Sequence, residues 1–90
     1  MLTPVYTRQF EKDVKRMKRR GKNLEKLKMV ISSLVTEEPL DPIHRDHKLI
    51  GKWSGRRECH IESDWLLIYK TNIDILVFER TGTHSDLFSS

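Results

Sequence analysis

The spacing of the apolar residues changes once along the chain, and this change limits the folds that the chain can adopt. From Thr7 to Thr36, apolar side chains recur every three or four residues, which is the period of a helix. Beyond Pro42, they alternate or form short blocks between turn residues, which is typical of β-strands. Helices followed by strands predict an α+β fold, with the helices packed on one face of a mainly antiparallel sheet.

The helical part is expected to be a hairpin preceded by a short strand. The strand covers residues 2–6, and Pro4 marks it as an edge strand, because proline lacks the N–H that a neighbouring strand would bind. The first helix has Thr7 as its N-cap and ends near Gly21, and the second covers residues 23–36. Their apolar faces contain Phe10, Val14, Met17, Leu24, Leu27, Ile31 and Leu34.

Four further strands are expected after the loop at residues 37–47, whose two prolines disfavour helix. They cover residues 49–53, 57–61, 65–70 and 73–80. The short turns between them require antiparallel neighbours. The tail GTHSDLF is expected to add one short C-terminal helical turn. The complete prediction is a single domain over residues 1–90 with the element order β-α-α-β-β-β, which counts only three of these four strands.

The charge of the chain is positive and unevenly distributed. Lys and Arg total 17 against 13 acidic residues, and residues 8–28 alone hold ten of the basic residues with three acids. Such an excess attracts polyanions, nucleic acid above all, although a solvated helix face or an acidic protein partner would explain it as well. The basic residues that we single out for RNA binding on the first helix are Lys15, Arg16, Lys18, Arg19 and Arg20.

The sequence also indicates where the protein works. It has no apolar run of 18 residues or more, so no membrane span is expected. The N-terminal residues lack a hydrophobic signal core, and the single Cys59 cannot form an internal disulfide. These features favour a cytoplasmic protein without a membrane partner.

The second half of the chain carries residue types that suit metal-free cleavage of RNA. That reaction needs a base for the 2′-OH, an acid for the departing 5′ oxygen and cations for the phosphoryl charge. Histidine suits the first two tasks, and arginine and lysine suit the third. The candidates are His44, His47, His60, His84, Asp64, Lys52, Arg56, Arg57 and Arg80. Each also has a structural explanation, such as capping a turn, so residue types alone do not require a ribonuclease.

Strand alternation predicts which side chains of residues 57–61 share a face. Cys59 and Ile61 point one way, and Glu58 and His60 point the other way. The apolar pair should face the helices, because helices bury their apolar stripes against the sheet. His60 is therefore expected on the open face of the sheet.

A metal site is not expected. His44 and His47 have the i, i+3 spacing of ligands on a helix, with His60 or His84 available as a third ligand. Pro42 keeps their segment out of a helix, and the chain offers no second cysteine. No metal and no other cofactor is therefore predicted.

Three motifs carry a resemblance to a known family. They are DHKLIGKW at residues 46–53, RECHIESDWLLIY at residues 57–69 and FERTGTH at residues 78–84. In this order they resemble the YafQ branch of the RelE superfamily, the toxin halves of bacterial type II toxin–antitoxin pairs. The resemblance implies a RelE-like fold and a ribosome-dependent endoribonuclease, which cuts mRNA in the ribosomal A site and inhibits translation.

The resemblance also implies site residues and their roles. The family's catalytic set falls on His47, His60, Asp64, His84 and Phe88. Arg80 and Lys52 become neighbours of the phosphate. We expect His84 to be the general acid, while the other two histidines and the aspartate are all candidates for the base and for orienting groups.

The partners implied by the resemblance are a cognate acidic antitoxin of the RelB/DinJ type, the 70S ribosome and its mRNA. Operator DNA would be bound through the antitoxin complex. Two alternatives remain open on the sequence: a basic RNA-binding module without activity, and an inactive toxin homologue that keeps only antitoxin binding. Expression of the chain alone, with growth and mRNA ends as readouts, separates them.

Overall fold

The elements follow the predicted order in the computed structural model, which describes residues 1–88. They are β1 (Thr3–Tyr6), α1 (Arg8–Arg19), α2 (Leu24–Val35), β2 (His47–Lys48), β3 (Arg57–Glu62), β4 (Trp65–Thr71), β5 (Ile75–Gly82) and α3 (His84–Phe88). Two 3₁₀ turns, Pro42–His44 and Gly51–Trp53, flank β2. The α+β prediction is confirmed, including the short helix at the end of the tail.

The five strands form one sheet in the order β1-β5-β4-β3-β2. Strand β1 runs parallel to β5, with Thr3 opposite Ile75, and the other neighbours are antiparallel. The parallel pair follows from the helix hairpin, which carries the chain back across the sheet between β1 and the later strands. The sheet is therefore mainly antiparallel, as predicted, with β1 and β2 at its edges.

The helices begin where their capping residues predict. The Thr7 hydroxyl accepts a hydrogen bond from the Phe10 N–H at 3.0 Å and donates one to the Glu79 carbonyl at 2.9 Å. This one side chain thus caps α1 and ties its start to β5. Asn23 caps α2 by accepting from the Glu25 N–H at 3.0 Å. Gly21 has a φ of +83°, the left-handed conformation in which helices commonly end.

The main core lies between the helices and one face of the sheet. Cys59 and Ile61 belong to it, as the alternation in β3 predicts. The other buried members are Phe10, Met17, Leu27, Val30, Trp65, Leu67, Tyr69, Leu76 and Phe78. Burial raises the pKa of the Cys59 thiol to about 12, so this cysteine is a packing residue rather than a nucleophile.

The second face of the sheet is partly covered. Leu66 and Ile68 of β4 point to it and pack against Leu87 of α3. Leu49 and Trp53 complete this smaller cluster. The cluster matters for function, because it seats α3 beside the end of the β3–β4 hairpin.

None of the helices within residues 1–88 is long and apolar enough to cross a membrane.

Two predicted strand limits are wrong. Residues 49–53 do not form a strand, because Gly51 has a φ of +70° and starts a 3₁₀ turn. The observed β2 covers only His47–Lys48, just before the predicted strand. Strand β5 begins at Ile75 instead of residue 73. The Asn72 side chain accepts from the Ile73 N–H at 3.2 Å and keeps these residues in the turn.

A buried hydrogen-bond pair offers a test of this packing. The Thr81 hydroxyl accepts from the Trp65 indole N–H at 2.9 Å and donates to the Leu66 carbonyl at 2.7 Å. We expect Thr81→Val to lower the free energy of unfolding by about 1–3 kcal/mol, because it leaves both partners buried and unpaired. Urea unfolding measures the change. Thr71→Val, at an exposed position of β4, is the control, and equal stability of the two variants would contradict the prediction.

Candidate functional site

Three histidines from distant segments of the chain lie side by side. The ring centroids of His47 and His60 are 6.4 Å apart, and those of His60 and His84 are 5.9 Å apart. His47 comes from β2, His60 from β3 and His84 from the first position of α3. The order in space is thus His47, His60, His84, with the central ring most deeply set. We call this group the histidine row.

A buried carboxylate lies between two members of the histidine row, His47 and His60. The Glu58 Oε1 is 3.5 Å from the Nε2 of His47 and 3.5 Å from the Nε2 of His60, and its side chain is only 6% exposed. Glu58 was not among the candidate site residues, although strand alternation placed it on the face of His60. The missing information was the register: His47 lies opposite Glu58 in the β2–β3 pair.

Asp64 lies at the His84 end of the row, in the turn between β3 and β4. Its Oδ1 accepts from the His84 N–H at 2.9 Å and contacts the His84 Nδ1 at 2.7 Å. The backbone and then the side chain of His84 hold the pKa of the Asp64 carboxyl below its ordinary value. Since an ionised carboxylate only accepts, the Nδ1 of His84 carries the proton, and its Nε2 is left for a substrate.

Backbone carbonyls orient two other imidazoles. The Nδ1 of His47 lies 2.7 Å from the Arg45 carbonyl, where the backbone has a left-handed φ of 48°. The Nδ1 of His44 lies 2.7 Å from the carbonyl of His60. A carbonyl accepts but cannot donate, so both Nδ1 atoms carry protons. His44 therefore supports the backbone of His60 and does not belong to the histidine row.

Aromatic rings form the rim beside His84. The Phe88 ring lies 6.3 Å from the His84 ring and meets Trp53 edge-on at 6.4 Å between centroids. Phe88 is 42% exposed, so part of its ring is free to contact a base. Arg56 lies over Trp53 at 5.7 Å, and its Nε donates to Glu79 at 2.5 Å. The structure thus brings Phe88 and Arg56 to the neighbourhood of the row through Trp53.

Two of the predicted RNA-binding arginines have other neighbours. Arg57 alternates with His60 and lies on the helix side, where its Nε donates to Asp46 at 3.2 Å. Arg80 donates through its Nε to the buried Asp13 of α1 at 2.7 Å. Neither guanidinium is brought to the histidine row by these contacts. Lys52 is exposed on the same 3₁₀ turn as Trp53.

The five basic residues that we single out for RNA binding, on α1 and at its C-cap, divide into two groups. Lys15, Lys18 and Arg19 are exposed and form no ion pair with any part of the chain within residues 1–88. Arg16 instead contacts Asp13 at 3.0 Å, and Arg20 contacts Asp86 at 2.6 Å. Only the first group is fully available to an external polyanion.

A cleft of about 630 Å³ opens beside the central histidine. It is lined by Pro42, Ile43, His44, Arg45, His60, Ile61, Glu62 and Ser63. Within residues 1–88, no group of three or more His, Cys, Asp or Glu side chains is arranged to hold a metal ion. The site therefore combines imidazoles and two carboxylates, which can transfer protons, with a cleft in which a ligand can bind.

Comparisons with known proteins identify the family to which the chain is similar. The family model described as the bacterial toxin of type II toxin–antitoxin system, YafQ, matches residues 2–89. The chain is 46% identical over 84 residues to the mRNA interferase toxin YafQ of Escherichia coli K12, covering 92% of this chain and 91% of the relative. The putative toxin YafQ of Haemophilus influenzae is 37% identical over 87 residues, covering 89% of this chain and 85% of the relative.

A solved structure is similar over nearly the whole chain. The toxin in the crystal structure of the E. coli DinJ–YafQ complex superposes with a TM-score of 0.92 at 43% identity. The match covers 99% of this chain and 100% of that chain.

The Asp64–His84 contact predicts a titration. We expect the Asp64 carboxyl to titrate below the ordinary aspartate value of 3.8 in the wild type. In His84→Ala the pKa should rise only in part, because the backbone N–H remains. A lowered folded pKa means that Asp64 stabilises the fold above its unfolded pKa, and that this contribution is lost as the pH falls through the folded pKa. Carboxyl NMR titration measures both proteins, and an Asp64 pKa at or above 3.8 in the wild type would refute the contact.

Proposed function

Since this chain belongs to the YafQ family of bacterial toxins from type II toxin–antitoxin systems, we propose that it is an mRNA interferase, an endoribonuclease that cuts mRNA on the ribosome. Its cognate partner is an acidic antitoxin of the DinJ type, in line with the DinJ–YafQ complex of E. coli. Operator DNA is bound through that antitoxin complex. The observation that carries the catalytic part is the histidine row, with the Glu58 carboxylate between His47 and His60 and the Asp64 carboxylate at His84.

The reaction needs no group beyond the protein's own side chains. The 2′ oxygen attacks the adjacent phosphorus, and the bond from phosphorus to the 5′ oxygen breaks. A base takes the 2′-OH proton, and an acid gives a proton to the departing 5′ oxygen. The products are a 2′,3′-cyclic phosphate and a 5′-OH end. One turnover therefore leaves the base protonated and the acid without its proton.

We assign the acid to His84 and the base to His47. Asp64 holds the Nδ1 of His84 and directs its Nε2 outward, which suits a proton donor. The Nδ1–H of His47 is bound to a carbonyl, so in the neutral ring the lone pair is on the Nε2, which lies 3.5 Å from the Glu58 Oε1. His47 is also half exposed, whereas His60 is 14% exposed. His60 lies between the two, where its cationic form would stabilise charge on the phosphoryl oxygens.

The remaining site residues would hold the message in place. Phe88 offers a partly exposed ring on which a base can stack. Lys52 lies on the Trp53 side and supplies positive charge for flanking phosphates, whereas the Nε of Arg56 already donates to Glu79. Arg57 and Arg80 are excluded from direct phosphate contact in this assignment, because Asp46 and Asp13 already bind their guanidinium groups.

The exposed charges of α1 support a second part of the proposal. Lys15, Lys18 and Arg19 form a basic surface that would hold the toxin against ribosomal RNA. A basic RNA-binding module without activity would use the same surface. Cleavage is therefore the decisive measurement, because binding alone is expected of both.

His84→Ala tests the catalytic assignment. We expect the rate of cleavage of ribosome-bound mRNA to fall roughly 10²–10⁴-fold, because the 5′ oxygen would leave without a proton. Primer extension of the cut message and growth after induction measure the effect. Ser85→Ala, the exposed neighbour on α3, is the matched control. If cleavage is unchanged in His84→Ala with the fold intact by circular dichroism, His84 is not the acid.

Charge reversal on α1 tests the ribosome surface. We expect Lys15→Glu, Lys18→Glu and Arg19→Glu together to weaken ribosome binding most at low salt and to flatten the dependence of log Kd on log salt. Each lost phosphate contact should lower that slope by about one. Sedimentation with ribosomes over a salt series measures it. Lys28→Glu, which removes an exposed basic residue from α2, serves as the comparison, and equal effects would show that position on α1 is irrelevant.

A further inference from the structure

Helix α3 carries two of the proposed site residues but is too short to hold itself in place. It spans His84–Phe88, five residues, and isolated helices of that length are not stable in water. Its one buried apolar residue is Leu87, which packs on Leu66 and Ile68, while the partly exposed Phe88 meets Trp53 edge-on. The position of the His84 ring therefore depends on what else fixes this helix.

Asp86 supplies the missing contacts. Its Oδ2 and Oδ1 accept from the two terminal nitrogens of Arg20 at 2.6 and 3.0 Å, a bidentate pair between the ends of α1 and α3. Its Oδ2 also accepts from the Thr83 N–H at 2.9 Å, and its own N–H donates to the Thr83 hydroxyl at 3.1 Å. This reciprocal pair is a capping box, so one carboxylate both starts α3 and binds it to α1.

Gly82 shows how closely the Asp86 side chain packs against the end of β5. A Cβ placed on Gly82 would lie 3.0 Å from the Cβ and 3.0 Å from the Oδ2 of Asp86, and 3.4 Å from an Arg16 nitrogen. Arg16 itself lies 3.9 Å from the Asp86 Oδ2. The absence of a side chain at residue 82 is thus what lets the carboxylate approach the strand end. The arrangement joins the end of α1, the end of β5 and the start of α3, which is more than a chance surface pair offers.

We propose that Arg20 and Asp86 are positioning residues that hold the acid His84 in place by clamping α3 to the end of α1. This inference rests on the proposed function of His84. The inference also gives Arg20 a different role from that of Lys15, Lys18 and Arg19. Because the guanidinium of Arg20 is bound to Asp86 of the same chain, Arg20 affects the rate of cleavage and not the attraction to RNA.

The clamp should affect the site more than the overall stability. The Arg20 side chain is 43% exposed, and an ion pair at such a surface contributes little to the free energy of unfolding. Leu87 of α3 packs in the smaller cluster and not in the main core, so displacement of α3 leaves the main core intact. Displacement of the His84 ring by about 1 Å can nonetheless lower the rate as much as a hundredfold. Arg20 holds the pKa of the Asp86 carboxyl well below its usual range, so the pair stays charged in a neutral assay.

The test compares Arg20→Gln, Asp86→Asn and the double variant with Arg19→Gln. The rate of mRNA cleavage is measured over a series of ribosome concentrations, which gives a rate at saturation and a half-saturating concentration. We expect Arg20→Gln and Asp86→Asn each to lower the rate at saturation about tenfold without raising the half-saturating concentration. The double variant should lose no more than either single one, because both remove the same contact. Arg19→Gln should act on the half-saturating concentration instead.

A conservative variant and a second measurement keep the inference testable. Arg20→Lys keeps the charge but not the two-pronged geometry, and we expect a smaller loss of rate than in Arg20→Gln. Hydrogen exchange of the Leu87 N–H, which is bound to the Thr83 carbonyl at 3.1 Å, reports the state of α3 without any activity. Its exchange should be faster in Arg20→Gln and Asp86→Asn than in the wild type or Arg19→Gln.

The outcomes separate the two proposals. If the wild type does not cleave ribosome-bound mRNA, the proposed function fails, and the exchange of Leu87 still decides whether the clamp fixes α3. If the wild type cleaves but Arg20→Gln raises only the half-saturating concentration, Arg20 is a ribosome contact and the clamp is refuted. Unchanged rates in both single variants, or losses that multiply in the double variant, refute it as well.

Discussion

The buried carboxylate of Asp13 is the interaction on which the arrangement around the site depends. Its side chain is inaccessible to solvent and accepts hydrogen bonds from Arg16, Arg80 and the Thr81 N–H. A buried charge is tolerated only when it is paired, and breaking such a pair costs about 3–5 kcal/mol. Asp13 therefore locks the middle of α1 to β5. Because α3 follows β5 directly, this joint also decides where α3 can reach the end of α1.

The candidate site lies beside this contact between α1 and β5, and two of the elements that form it are very short. Strand β2 has two residues and α3 has five, yet they carry His47 and His84 to either side of His60. Each imidazole has a partner on its other nitrogen or beside its ring, either a carbonyl or a carboxylate. Such partners fix ring orientation at little entropic cost during reaction, which is what proton transfer requires. The proposed chemistry thus depends on local anchoring more than on the core.

Positive charge has two distinct uses in this protein. Arg16, Arg20, Arg57 and Arg80 bind carboxylates of the same chain, and Lys22 and Lys26 both donate to Glu62 at 2.9 Å. The exposed lysines and arginine of α1 have no such partners within residues 1–88. Net charge and the local density of basic residues could not reveal this division, because most of these ion pairs join residues that are distant in the sequence. Counting basic residues therefore overestimates the surface available to RNA.

The sequence by itself determined the α+β class, the element order and the helix starts at Thr7 and Asn23, because periodicity and capping are local properties. Alternation in β3 also placed His60 and Glu58 on one face. It failed at residues 49–53, where the left-handed backbone of Gly51 breaks an apparently continuous strand. Only the tertiary structure decided that Glu58 lies between two imidazoles and that Arg20 meets Asp86, 66 positions away. Those contacts follow from strand register and helix packing, which bring together residues whose spacing along the chain carries no signal.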